Sequence, residues 1–531
     1  MKKTILALLF VALTSTGLTR AQDLPYAANY QKVKFEQFYD ALNSLYVDTL
    51  NNAQLIEKAI VSILADLDPH STYSSAEEMK AIKESFEGSF SGIGVEFDVI
   101  ADTIFVVNTI PNGPSEDAGI LPGDRIVSVD GRSCVGIARA DVPQLLRGKK
   151  GSAISLGVAR RGEPDLLLFR IVRDDIPIHT VDAAYMAAPR IGYIRVNRFA
   201  GNTMQEFRQA FRTLAPMDGL ILDLRGNGGG LLDQAIELSE FFLPAGAEIV
   251  STEGRNIRPT SYRSHRKEGF DGRLVILIDA SSASGSEIVA GAIQDWDRGV
   301  ILGQPSYGKG LVQRQLPLLD GSAVRITVAR YHTPSGRVIQ RPFTAGDAEG
   351  YYLDHLRRTY DDHYADSLNA NAPAYRTLHT GRTVFGGGGI RPDLNVPLDT
   401  TRNYAYWNEL IRNGVVNEYT NAYLETGRDR LLAACPTVEQ YIASFTVTPE
   451  MLQALEELGR QRGIVYQTGD RLEMLPDVQA SLKALIARKI WGMTAYYLII
   501  NSANDPVYDR AVQLLEDPAA YDRLLAPAAD R

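Results

Sequence analysis

A chain of 531 residues is too long for a single hydrophobic core, so roughly three or four folded units are expected. Its 45% hydrophobic and 22% charged content is that of a soluble globular protein, and a net charge of −9 argues against nucleic acid as the main partner, which needs a basic face. Cys134 and Cys435 are the only cysteines; they read as isolated buried thiols, and no clustered Cys/His spacing points to a metal site, so neither metal nor cofactor is expected.

In chain order, Lys2 and Lys3 precede the apolar stretch Ile5–Leu13, and Thr19-Arg20-Ala21 ends in a small residue. That pattern predicts a signal peptide over 1–21 and an exported, periplasmic protein. Residues 22–85 read as helical, with Phe35, Phe38, Leu42, Leu45 and then Leu55, Ile56, Ala59, Ile63 at helical spacing. Asp68–Ser71 is a break and turn. From Gly88 the period shortens to that of strands, and 86–173 reads as a compact β-rich module of five short strands and two small helices. Over 174–398 buried strands alternate with helices, an α/β layered core. Within it, 345–383 is a polar, Tyr-rich excursion. Residues 399–531 return to helical spacing. The apolar stretch Ile490–Ile500 is too short to span a bilayer and predicts a buried helix, so no stable membrane span is expected.

The chemistry-bearing candidates lie in the core. Ser281–Glu287 sits between a buried strand and a small-residue helix, so Ser284 stands at a helix N-terminus, where unpaired N–H groups can stabilise a negative oxygen. Ser284-x-x-Glu287 alone is equally a capping box. A serine hydroxyl needs a base, and no Gly-x-Ser-x-Gly elbow suggests a His triad. Lys309, flanked by Gly308 and Gly310 at the entrance of a strand, can serve if burial keeps it neutral; otherwise it is a surface lysine. Strand alternation puts Lys309, Leu311 and Gln313 on one face, so Gln313 can orient the amine without adding charge. Gly303–Lys309 mimics a phosphate-binding loop, but Gly310 replaces the Ser or Thr that holds Mg²⁺, and a strand follows instead of a helix. The loop Gly226–Gly230 suits an oxyanion or a tight turn. In the β module, Gly92-Ile93-Gly94-Val95 can capture a chain-terminal carboxylate and offer a strand edge to a peptide.

Taken together, Leu67–Ser71, Gly88–Gly94, Pro114–Arg125, Leu222–Leu232, Ser282–Ile288 and Ser306–Gln313 resemble, in order, the motifs of the carboxy-terminal processing (tail-specific) proteases. The resemblance covers most of residues 60 to 397. It implies a multidomain α/β protein: a crotonase/Clp-protease-like serine protease core with an inserted PDZ domain and helical N- and C-terminal regions. It also implies a nucleophile at Ser284, a general base at Lys309, a lysine-orienting Gln313, and an oxyanion hole from the N–H groups of Gly230 and Gly285. The substrates implied are polypeptides cut near the C-terminus after the PDZ domain engages the tail. Gly228 stands where the family often has Pro, and Gly285 where it often has Ala. The tail after 400 lies outside the shared motifs and is a candidate for dimerisation or docking, including a homo-oligomer. The rival readings are a non-catalytic peptide-binding scaffold and an acyl-CoA enzyme on a similar core.

Overall fold

Short, uninterrupted apolar runs are what a parallel strand needs when both of its faces are covered. Gly219–Asp223, Arg273–Ile278 and Val300–Gly303 are such runs, and they lie side by side and parallel. They occupy the middle of a six-stranded sheet in the order Val181–Ala188, Ile191–Val196, Gly219–Asp223, Arg273–Ile278, Val300–Gly303, Leu394–Asn395. Only the first pairing is antiparallel. The computed structural model describes residues 23–397, 403–465, 472 and 476–527, so the signal peptide assigned to 1–21 lies outside the described residues.

Strand alternation sends side chains of this sheet into two cores. Leu220, Leu222, Leu274, Ile276 and Ile301 pack with residues of the helices Thr203–Leu214, Leu232–Glu240 and Gly285–Asp295. Ile221, Val275, Leu277, Val300 and Leu302 pack with Tyr508, Ala511, Leu514, Leu515 and Tyr521 of the helices Pro506–Glu516 and Pro518–Leu525. The end of the chain therefore supplies the second layer of the core. The Tyr521 hydroxyl locks it there, donating to the Leu274 carbonyl at 2.9 Å and accepting from the Leu274 N–H at 3.1 Å.

A second sheet joins Thr72–Ser74, Ala323–His332, Glu248–Gly254 and Ile257–Arg263, with Leu311–Pro317 also paired to Ala323–His332. The β-rich module is a six-stranded antiparallel sheet around Ile104, Val106, Ile126, Leu156 and Val158, with the short helices Pro114–Asp117 and Val142–Leu146. Arg132–Ser133 adds a two-residue strand to the five expected. Ser89–Gly92 and Asp174–Pro177 pair antiparallel where the chain enters and leaves the module, which marks it as an insertion.

Beyond residue 402, helices from Ala405–Arg412 to Met493–Asn504 share a core of their own. The run Ile490–Ile500 is divided between two helices at Gly492, and no described helix is long and apolar enough to cross a membrane. This helical region meets the edge strand Val95–Ile100 of the β module. Asn417 and Asn421 donate to Asp98, Arg488 pairs with Glu96 at 2.9 Å, and Arg125 pairs with Glu425 at 2.9 Å. Cys134 and Cys435 are both buried free thiols. The residues up to Asp66 form a separate unit, whose helices Asp23–Leu45 and Asn52–Ala65 keep Phe35, Phe38 and Leu45 exposed.

Candidate active site

The parallel strand Arg273–Ile278 ends at a turn of small residues, and the turn delivers Ser284 to the head of the buried helix Gly285–Asp295. Ser284 has φ +54° and ψ −109°, a backbone region that costs a non-glycine residue roughly 1–3 kcal/mol. The surroundings hold it there. Asp279 accepts from the N–H groups of Ser281, Ser282 and Gly226. Asn227 is fully buried and ties the glycine loop to the serine turn: its carbonyl accepts from Ala283 N–H at 3.0 Å and from the Ser286 hydroxyl at 2.8 Å, while its Oδ1 accepts from Gly229 N–H at 2.8 Å.

Glycine is required where that loop touches the serine. A Cβ on Gly229 would lie 2.8 Å from Ser284 Cβ and 2.9 Å from Gly285 N. Gly230 packs instead on Phe199, with which it forms an isolated bridge. Among the described residues, no group accepts from the backbone N–H of Gly230 or Gly285. A Cβ on Gly228 would meet nothing within 4 Å, and Gly228 lines the same cleft as Lys309.

Glu287 is more than a helix cap. Fully buried, its Oε2 accepts from the N–H of Ser284 at 2.8 Å and from the N–H of Lys309 at 2.9 Å. Its Oε1 accepts from the Ser306 hydroxyl at 2.5 Å and from Gly308 N–H at 2.7 Å. One oxygen atom therefore holds both candidate residues by their backbones. Burial pushes the Glu287 carboxyl above its ordinary range, and the four hydrogen bonds oppose that rise.

Lys309 is partly buried, and no carboxylate pairs with its amine among the described residues. Its pKa is lowered, first by burial and next by the charge of Arg325; Glu287 and Asp68 pull more weakly the other way. The turn Leu67–Ser71 sits beside it. Asp68 accepts from His70 N–H, Ser71 N–H, the Ser71 hydroxyl and the Thr327 hydroxyl, which pins the turn to the lysine sheet. Gln313 donates its side-chain N–H to the His70 carbonyl. The His70 ring faces the Tyr351 hydroxyl at 3.2 Å and is held down to about 4, first by burial and then by the Lys309 charge. On the serine side, burial holds the Tyr331 phenol up at about 12, opposed by a hydrogen bond with Ser284.

Lys309 opens onto a cleft of about 510 Å³ lined by His70, Gly228, Ala283 and Tyr307 together with Tyr352, His355 and Leu356. The last three belong to the helix Ala348–Tyr360 of the polar excursion. In the β module, Gly94 has φ +76°, and Ile93 and Gly94 carry N–H groups with no protein acceptor among the described residues. Val95 begins the edge strand. No group of three metal-ligating side chains occurs among the described residues.

Sequence reasoning put Ser284 and the glycine loop each between a buried strand and a helix, and Lys309 at the entrance of a strand. It read Glu287 only as a cap and missed Asn227, His70, Tyr331 and Arg325. His70 stood in a motif already singled out, and Asn227 in the glycine loop; the other two carried no local signal.

The sequence profile of Peptidase family S41 matches residues 190–349, and that of a PDZ domain matches residues 105–160. Residues 406–492 match a family of unknown function. The carboxy-terminal-processing protease of Bartonella bacilliformis is 39% identical over 325 residues, 58% of this chain and 73% of that one. The carboxy-terminal processing protease CtpA of Bacillus subtilis is 33% identical over 369 residues, 69% of this chain and 78% of that one. Among solved structures, a photosystem II D1 C-terminal processing protease is 29% identical and aligns over 61% of this chain and 91% of that one, with a TM-score of 0.33.

Proposed function

Since the chain belongs to the carboxy-terminal processing proteases, serine hydrolases of Peptidase family S41 with a PDZ domain, we propose that it is an endopeptidase that cuts polypeptides near their C-terminus with a Ser284–Lys309 dyad. The observation that carries this reading is the shared Glu287 oxygen, 2.8 Å from Ser284 N and 2.9 Å from Lys309 N. It ties a strained serine and a desolvated lysine to one atom by their backbones, and no carboxylate pairs with the amine among the described residues.

Neutral Lys309 takes the Ser284 proton as the hydroxyl oxygen attacks the scissile carbonyl. The oxyanion is met by the N–H of Gly285 and one from the glycine loop, Gly230 in the family pattern, with Gly228 as the alternative that lines the cleft. Lys309 then gives its proton to the leaving amine, and water releases the acyl group. Gln313, with its N–H engaged by the His70 carbonyl, keeps its amide oxygen as an acceptor for the Lys309 amine. The PDZ domain captures the substrate tail at the N–H groups of Ile93 and Gly94, and the tail adds to the strand that starts at Val95. The N-terminal 21 residues direct the protein out of the cytoplasm to the periplasm.

The test is digestion of an unstructured polypeptide by the full mature chain and by Ser284→Ala and Lys309→Ala. Both variants are expected to fold and to lose cleavage. Activity retained by Ser284→Ala removes the nucleophile, and a mild effect of Lys309→Ala points to another base.

A further inference from the structure

Adjoining the Lys309 cleft is a second cavity of about 300 Å³ that three arginines line: Arg341, Arg358 and Arg391. Gln304 and Asn395 also line it, and no carboxylate does among the described residues. The arginines come from three distant parts of the sequence. Arg341 follows the lysine sheet, Arg358 lies on the helix Ala348–Tyr360, and Arg391 precedes the last core strand, Leu394–Asn395.

Their charge is under-compensated. One carboxylate, Asp354, serves both Arg341 at 3.0 Å and Arg358 at 2.7 Å. Arg391 pairs with no carboxylate among the described residues and lies over the Phe385 ring at 4.3 Å. Arg341 is 1% exposed, yet its Nε and Nη2 have no hydrogen-bond partner among the described residues. It lies over the rings of both Tyr307 and Tyr351, at 4.7 and 4.0 Å, which holds the guanidinium without neutralising it. Burial, then repulsion from Arg358 and Arg337, lowers Arg391 to about 10, as for a cation that lacks an anion. Buried charges are ordinarily paired, so three guanidinium groups, two on one carboxylate and the third on none among the described residues, form a site suited to a further anion.

Its position identifies the anion. Ala280, His355 and Thr359 line both this cavity and the Lys309 cleft, so a chain lying in the cleft reaches the arginines within a few residues. We propose that the cavity binds a carboxylate of the polypeptide substrate, borne by the chain end or by an acidic side chain, close to the bond that is cut. The site lies in the core, apart from the PDZ loop, and this assignment rests on the peptidase reading above.

The experiment uses the full mature chain and four matched peptides: with a free or an amidated C-terminus, and with an internal Glu or a Gln in its place. Cleavage is followed for the wild type, Arg391→Gln, Arg358→Gln and Arg391→Lys, with thermal unfolding of each as the check on folding. Peptide affinity is measured in parallel by fluorescence anisotropy on Ser284→Ala, alone and combined with Arg391→Gln. The wild type should favour the carboxylate-bearing member of one pair by about ten-fold in kcat/KM, the size of one charge-assisted hydrogen bond. Arg391→Gln and Arg358→Gln should lose that ratio, and Arg391→Lys should keep part of it. The Ser284→Ala background should show the same ratio in binding, and the added Arg391→Gln should abolish it. Sensitivity to amidation assigns the site to the chain end, and sensitivity to Glu→Gln assigns it to an acidic side chain. A ratio near one for both pairs in the wild type, or a ratio that survives in folded Arg391→Gln, overturns the proposal. A wild type that cuts no peptide sinks the peptidase reading instead, and the anisotropy arm then decides the carboxylate site by itself.

Discussion

Glu287 offers the sharpest perturbation, because one buried carboxylate organises both halves of the dyad. Glu287→Ala would orphan four donors: the N–H groups of Ser284, Gly308 and Lys309 and the Ser306 hydroxyl. Each buried donor left unpaired costs about 1–3 kcal/mol, so alanine removes on the order of 4 kcal/mol or more and tests folding before chemistry. Glu287→Gln keeps the shape and changes one acceptor oxygen into a donor. If the amide nitrogen takes the place of Oε2, it faces the N–H groups of Ser284 and Lys309; if it takes the place of Oε1, it faces Ser306 and Gly308, whose loop carries Lys309. Either orientation pushes the serine and the lysine apart. A displacement of about 1 Å can cost about 100-fold, and that is the drop expected in kcat/KM, with about 2–3 kcal/mol lost in stability. Steady-state cleavage of an unstructured polypeptide, run beside denaturant unfolding, measures both. A Glu287→Gln enzyme within about threefold of wild-type kcat/KM and with full stability would refute the reasoning.

Two glycines of one loop should respond oppositely. Gly229→Ala puts a Cβ 2.8 Å from Ser284 Cβ at φ +98° and should lower kcat/KM at least about 100-fold, whereas Gly228→Ala meets nothing within 4 Å and should change stability by under about 0.5 kcal/mol in thermal unfolding. Arg325→Gln removes a charge that helps to hold the Lys309 pKa down, so the rising limb of kcat/KM against pH should move to higher pH; an unmoved limb would show that Arg325 does not act on the base. Lys309 titrates lower in the folded chain than in the unfolded one, so its favourable contribution is present above the unfolded value and is lost as pH falls through the folded value. Lys309→Met should therefore be inactive, gain stability over the wild type at neutral pH, and lose that advantage as pH rises toward the ordinary lysine value. Unfolding curves taken across that range check the sign.

Much of the fold was legible because its signals are local. Gly219–Asp223 and Arg273–Ile278 are apolar runs bounded by turn residues, and that pattern alone predicts buried strands. The helix after Ser284 is announced by its small residues and its cap. The β module shows as a change of period. Other features span long stretches of chain. Whether Glu287 merely caps its own helix or also clasps 306–309 depends on how the lysine loop packs. The helices Pro506–Glu516 and Pro518–Leu525 look like ordinary amphipathic helices, and only packing shows that they cover one face of the core sheet.

From its order of residues the chain determines where strands, helices and turns begin, and which serine and lysine stand in positions fit for chemistry, since caps, periodicity and glycine turns act over a few residues. Tertiary structure alone decided that one carboxylate oxygen holds the backbones of both, that His70 shares the cleft of the amine and the Arg325 charge acts on it, and that three distant arginines share an adjoining cavity. Those are meetings of remote segments in a low-dielectric interior, where burial sets charge and affinity, and no local pattern encodes them.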